Sequence, residues 1–199
     1  MAAQGENHDT SSISWEPWIQ THTGKKFHFV SGPVTEVDIQ DIATALSRVP
    51  RWAGHTTKFY SAAQHCVNTS LLVRERGGDN LEQKKAVLHD AQEAYMCDLP
   101  SPLKRMIPRY KEIENKVWSK ISRALLGKVH DIDGLVKECD ITMLITEARD
   151  LFSFPPIDDW VAKCNRNNGN PPWEKTIVPC GPEKAKKLFL ERWEELNGN

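Results

Sequence analysis

Four residues of this sequence have the types and positions needed to hold a metal ion: His65, His89, Asp90 and Asp140. His65 stands in line with Ala62, Thr69 and Leu72, at offsets of three, four and seven residues, which is one face of a helix. His89 and Asp90 fall between Ala86 and Ala94, and Glu93 follows His89 by four residues, on the same face of a continuous helix. Asp140 lies four residues from Val136 and four from Leu144. Each is an ionisable group in an otherwise apolar stripe. Burying an unpaired charge is costly, and a metal ion offsets that cost because carboxylates and neutral imidazoles bind it directly.

None of these residues argues alone. A single inward histidine is more often a hydrogen-bonded core residue, and His-Asp dipeptides also occur at His8-Asp9 and His130-Asp131. The first of those lies in a polar tail and the second in a loop just after Gly127. Only His89-Asp90 sits in an amphipathic helix with an acid one turn on. Two histidines and two aspartates form a nitrogen–oxygen ligand set that suits Co²⁺, Mn²⁺, Zn²⁺, Ni²⁺ or Fe²⁺ better than Mg²⁺ or Ca²⁺.

The elements that must position these groups are helical. Apolar spacing predicts helices over 38–48, 61–76, 81–97, 109–126 and 134–152, with a last one from Pro182 to about Leu196. Gly77-Gly78 stops the second, Asn80 with Gln83 forms a capping box for the third, and Gly127 ends the fourth. The 109–126 helix carries the line Tyr110, Ile113, Val117, Ile121 and Leu125, explained first by core packing and second by an oligomer interface. Residues 15–36, with Trp15, Trp18, Phe27 and Phe29, read as irregular structure with a short hairpin. Residues 153–181 read as a long Pro-rich loop, anchored by Trp160 and Trp173. The expected class is all-α: a polar, disordered tail over 1–14, then a single domain over 15–199.

Composition narrows the function classes. Lys+Arg is 26 and Asp+Glu is 27 in 199 residues, a net charge of −1, which gives no support to a nucleic-acid-binding or membrane surface. No apolar run is long enough to span a bilayer, and Met1 to Ser14 lack the apolar core of a signal peptide. Five cysteines without CxxC spacing indicate neither a disulfide framework nor a zinc finger. The expectation is a cytoplasmic protein with reduced thiols.

The pattern H…HD…D over three helices resembles the HD-domain phosphohydrolases. The resemblance covers about residues 37–152 and rests on FYSAAQHC (59–66), AVLHDAQEAYMCDLPSPLK (86–104) and ECDITML (138–144). HDxxE followed by DLPxPxK resembles the small 5′-deoxynucleotidase branch, to which phage-type dATP triphosphohydrolases are similar. The resemblance implies a compact helical bundle with His65, His89, Asp90 and Asp140 as metal ligands. It also implies that Glu93 orients or deprotonates the attacking water and that Asp98 contacts the sugar or assists the leaving group. Arg51-Trp52 would lie against the phosphate and the deoxyribose, with His55, Lys104 and Arg109 as further substrate contacts.

A metal-bound water and a phosphate oxygen can share an ion held by four protein ligands, and the ion lowers the water's pKa. Glu93 is expected to be anionic and to hold that water in line, while Arg51 offsets charge on the phosphoryl group. Trp52 would exclude a 2′-hydroxyl. The expected activity is hydrolysis of a small-molecule 2′-deoxynucleotide. The favoured form is a dATP triphosphohydrolase releasing deoxynucleoside and triphosphate, with an additional Mg²⁺ on the triphosphate. The alternative is a 5′-deoxynucleotidase acting on dNMPs, and a non-catalytic nucleotide-binding module ranks below both. The cationic set Lys25, Lys26, Lys58, Lys104, Arg105 and Arg109 would accommodate a triphosphate. Relatives of this architecture commonly form homo-oligomers, which is expected here too.

Overall fold

A computed structural model describes residues 16–154 and 171–198. The 1–14 tail, Trp160 and Cys164 lie outside the described residues.

The first helix, α1 (Ile39–Arg48), is capped by Asp38, whose side chain accepts from the Gln40 N–H. Its inward stripe of Ile42, Ala43 and Leu46 is fully buried. The second, α2 (Ala62–Glu75), is capped by Ser61 and ends at Gly77, whose φ of 82° suits a residue without Cβ. Then come α3 (Asn80–Leu88), one-turn helices α4 (Glu93–Met96) and α5 (Ser101–Lys104), α6 (Pro108–Leu126), α7 (Gly134–Leu151) and α8 (Pro182–Asn197). The only sheet among the described residues is the antiparallel hairpin β1 (Trp18–Gln20) and β2 (Lys26–His28), with Ile19 opposite Phe27. The all-α expectation holds.

Two details differ from the sequence reading. The cap of α3 is Asp79, in a reciprocal box with Glu82. Asn80 instead donates to the Leu196 carbonyl, and Gln83 donates to the Gly78 carbonyl. The expected 81–97 helix is also interrupted. After Leu88 the bonds Ala91 to Leu88, Glu93 to Asp90 and Ala94 to Ala91 close tighter i to i+3 turns, which changes the facing of every residue from 90 to 96.

Helix α2 is central. Its residues join one apolar cluster with α1, α6 and α8, built on Leu46, Ala63, Ile121 and Phe189. They join a second with α7, built on Val73, Val136, Cys139 and Met143. Each large side chain buried this way contributes about 1.5–3 kcal/mol. Val117 and Ile121 of α6 are buried in the first cluster, so core packing accounts for the apolar line of that helix. Phe27 anchors the hairpin by stacking on Tyr95 at 3.6 Å, with Lys120 4.6 Å over its other side.

The segment between α1 and α2 is closed at its base by an antiparallel bridge of Pro50 with Ser61. Thr57 ties it to the end of α7 by donating its N–H to the Leu151 carbonyl at 2.9 Å. This places Arg51 and Trp52 over the junction of α2 and α7. No helix among the described residues is long and apolar enough to cross a membrane.

Candidate metal centre

Helix α2 delivers His65, the turn after α3 delivers His89 and Asp90, and α7 delivers Asp140. His65 Nε2 lies 3.1 Å from His89 Nε2 and 3.1 Å from Asp140 Oδ1, and 3.6 Å from Asp90 Oδ2. His89 Nε2 lies 3.4 Å from Asp90 Oδ2 and 3.5 Å from Asp140 Oδ1. The structure therefore brings together all four residues singled out from the sequence.

The outer nitrogens fix what the inner ones can do. His89 Nδ1 is 2.7 Å from the Ala86 carbonyl, which only accepts, so this nitrogen carries the ring proton. His65 Nδ1 is 2.5 Å from Glu147 Oε1. Burial raises the Glu147 carboxyl, but Arg51 and His65 overcome this and hold its pKa at about 2, so it too accepts. In the neutral rings both Nε2 atoms are then lone-pair acceptors. In that state they face each other and two carboxylate oxygens with no proton among them. Four acceptors around one point repel unless a cation sits there, and two imidazoles with two carboxylates fit a divalent transition ion. The pKa directions show the same demand for positive charge, which in the metal-free protein falls on the rings. Burial pulls His89 down, yet Asp90, then Cys66 and Asp140, leave it well raised. Burial would raise Asp140, but the two imidazoles hold it well below the carboxylate range.

Glu147 is the residue of the candidate centre that the sequence reading missed. It is fully buried. Beyond His65, it accepts from Trp52 Nε1 at 2.9 Å and from Arg51 at 3.3 Å. A carboxylate behind a ligating histidine sets its tautomer and raises its basicity. The missed signal was helical phase: Glu147 follows Asp140 by seven residues, so an inward Asp140 implies an inward Glu147.

Arg51 reaches Asp90 at 3.3 Å and Asp98 at 4.0 Å as well as Glu147. Its charge is shared among three carboxylates, so in this structure it holds acids in place rather than standing open to a phosphate. Trp52 packs edge-on against Phe152 at 5.1 Å. Trp52, Ala53 and Cys97 all have positive φ (58°, 50° and 66°), a conformation costing about 1–3 kcal/mol per non-glycine residue that collects at functional sites.

Glu93 is buried and begins α4. Its Oε1 accepts from Lys104 at 3.3 Å, while its Oε2 is buried without a partner. In the metal-free protein, burial, then Asp90 and Asp98, push the Glu93 pKa well up, and Arg51 and Lys104 only partly oppose this. A cation at the four-residue centre acts in the opposite direction. Asp98 is raised too, first by burial.

A cleft of about 560 Å³ opens from the centre, lined by His89, Asp90 and Asp140 together with residues of α5, α6 and the start of α7. The Asp140 side chain is 37% exposed, so the centre is accessible from this side. Lys104, Lys111 and Lys137 line the cleft, with Trp118 held by donating its indole N–H to the His130 carbonyl at 2.7 Å. Of the expected substrate contacts, Lys104 lines the cleft, with its charge shared between Glu93 and Glu114. His55 and Arg109 are exposed, and neither is bonded to the centre among the described residues. Lys25 pairs with Asp38 and Lys26 covers Trp18, and neither lines the cleft, where Lys111 and Lys137 stand beside Lys104. Sequence reasoning missed these because the loop after α6 had to fold back before α6 and α7 could face each other. Trp173 anchors its segment by donating to Glu75 and to Thr146.

Comparison with known proteins gives two relatives. The uncharacterized protein YfdR of Escherichia coli is 36% identical over 184 residues, which is 90% of this chain and 96% of that protein. An uncharacterized protein of Rhodobacter capsulatus is 31% identical over 113 residues, 52% of this chain and 56% of its own. No family model matches the chain.

Proposed function

The chain belongs to the family of YfdR, and from the centre it carries we propose that it is a metal-dependent phosphohydrolase of 2′-deoxynucleotides. One observation supports this above the rest: two imidazole nitrogens and two carboxylate oxygens converge on one point. Beside that point stand a buried, half-satisfied Glu93 and a lysine-lined cleft. The resemblance to HD-domain phosphohydrolases supplies the substrate class.

His65, His89, Asp90 and Asp140 hold the ion. When bound, it activates a water and polarises the phosphorus centre. Lys104 fixes one oxygen of Glu93, leaving the partnerless Oε2 to orient that water and take its proton. Asp98, held beside Arg51, gives a proton to O5′ as the phosphorus–O5′ bond breaks. Lys104, Lys111 and Lys137 neutralise phosphate oxygens in the cleft.

The resemblance to phage-type members favours a triphosphate, and three lysines line the cleft, although Lys104 and Lys111 already pair with Glu114. The preferred reading is a dNTP triphosphohydrolase, with dATP as substrate and Mg²⁺ on the triphosphate. Reduced, free Cys66, Cys97, Cys139 and Cys180 support a cytoplasmic setting. Exposed Leu103, Met106 and Ile107 supply an apolar patch for self-association.

The test is a phosphate-release assay on dAMP and dATP, with and without an added enzyme that degrades inorganic triphosphate, on metal-loaded and chelated samples. The expected result is turnover of dATP in the loaded sample, with phosphate appearing only when the second enzyme is present. Full activity after chelation, or no turnover of any deoxynucleotide, overturns the proposal.

A further inference from the structure

The four-ligand centre leaves one neighbouring group unused. Cys66 is fully buried. Its sulfur, a ligand atom of His89 and a carboxylate oxygen of Asp90 all lie within 4.8 Å of one another. Successive residues of a helix differ by about 100° in facing. Cys66, next after His65, therefore sits on the face of α2 adjoining the one that serves the first centre, and it meets the turn that carries His89 and Asp90.

We propose that Cys66, His89 and Asp90 form a second metal position that shares two ligands with the first and takes a thiophilic divalent ion such as Zn²⁺. The proposal rests on the reading of His65, His89, Asp90 and Asp140 as a metal centre. The chemistry of the two positions differs. The first offers nitrogen and oxygen only, which Mn²⁺ and Fe²⁺ accept readily, whereas Co²⁺, like Zn²⁺, also takes sulfur. The second adds a sulfur, which selects for softer ions. Zinc bonds of about 2.3 Å to sulfur and about 2.0–2.1 Å to nitrogen and oxygen let one ion bridge donors spaced like these after small side-chain shifts.

The two positions compete. An ion drawn toward Cys66 takes His89 and Asp90 away from Asp140 and from the cleft. Three protein ligands leave a tetrahedral ion one position short, but Cys66 and His89 are both buried, which hinders a phosphate from reaching an ion on that side. The first position is thus the working one and the second a resting one, and the identity of the ion decides which is filled. Excess Zn²⁺ is expected to inhibit the Mn²⁺-loaded protein, and loss of Cys66 is expected to relieve that inhibition.

The experiment is the absorption spectrum of the full chain loaded with Co²⁺, for wild type, Cys66→Ser and Cys66→Ala. Circular dichroism confirms the fold of each variant, and the small Ala fits the apolar surroundings if Ser does not. A thiolate on Co²⁺ gives an intense sulfur-to-metal charge-transfer band in the near ultraviolet, whereas nitrogen and oxygen ligands give only weak visible bands. The expected result is a charge-transfer band in wild type that is lost in both variants, with the visible bands retained. Visible bands without charge transfer in wild type, or a charge-transfer band that persists without Cys66, overturn the second position and leave the first intact. No Co²⁺ bands at all overturn both.

Discussion

Glu147→Gln isolates the part of the metal centre that touches no metal. Glu147 Oε1 accepts from His65 Nδ1 at 2.5 Å, and Oε2 accepts from Trp52 Nε1 at 2.9 Å. Glutamine has nearly the same shape but only one acceptor. If its oxygen serves Trp52, its NH₂ faces His65 Nδ1. That nitrogen must then become the acceptor, which moves the ring proton to Nε2, where it blocks the metal. If its oxygen serves His65, the NH₂ meets the Trp52 N–H, donor against donor, and the loop carrying Arg51 is displaced. Losing a carboxylate behind a ligating histidine typically costs about 10–100-fold in metal affinity, or about 1.4–2.7 kcal/mol. Arg51 keeps Asp90 and Asp98 as partners, so the stability loss should stay below the ~3–5 kcal/mol of a fully orphaned buried charge. Competition titration of Zn²⁺ or Co²⁺ against a chromophoric chelator reads the affinity, and urea unfolding of the metal-free protein reads the stability. A dissociation constant within about twofold of wild type would refute the tautomer argument.

Trp52→Ala is expected to reduce discrimination between dATP and ATP by about tenfold in kcat/KM, or ~1.4 kcal/mol; unchanged discrimination removes Trp52 from the specificity argument. Phe189→Ala on α8 should destabilise the protein by about 3–5 kcal/mol, because the ring is fully buried against α1 and α2; a loss under ~1 kcal/mol in urea unfolding contradicts that packing. Burial raises the Glu36 carboxyl, but the His28 N–H and Lys120 overcome it and leave the pKa below its ordinary 4.5. A depressed folded-state pKa stabilises above the unfolded value and is lost as pH falls through the folded one. Wild type should therefore lose more stability than Glu36→Gln between about pH 5.5 and pH 3, and parallel unfolding curves for the two proteins would count against the pairing.

Much of this protein follows from local rules that the sequence states outright. Helical period places His65 and Asp140 on inward faces, because 3.6 residues per turn is a property of the chain and not of its neighbours. Gly77 and Gly127 mark helix ends because only they adopt positive φ without strain. The same periodicity held Glu147 in plain view, seven residues after Asp140, and its role became visible only once α2 brought His65 alongside. Other features depend on contacts between segments distant in sequence. The break after Leu88 has no glycine or proline to announce it; it appears where His89 and Asp90 must turn toward α2 and α7. Arg51 is a candidate phosphate ligand by type, but three acids from separate segments surround it. The cleft lysines come from α5, α6 and α7, and nothing in their spacing shows that they share a wall. The inward facing of His65 and Asp140 was thus a local property, written in helical phase. What stands behind them and what opens in front of them was decided by packing, because charges and cavities are set by whichever segments the core brings together.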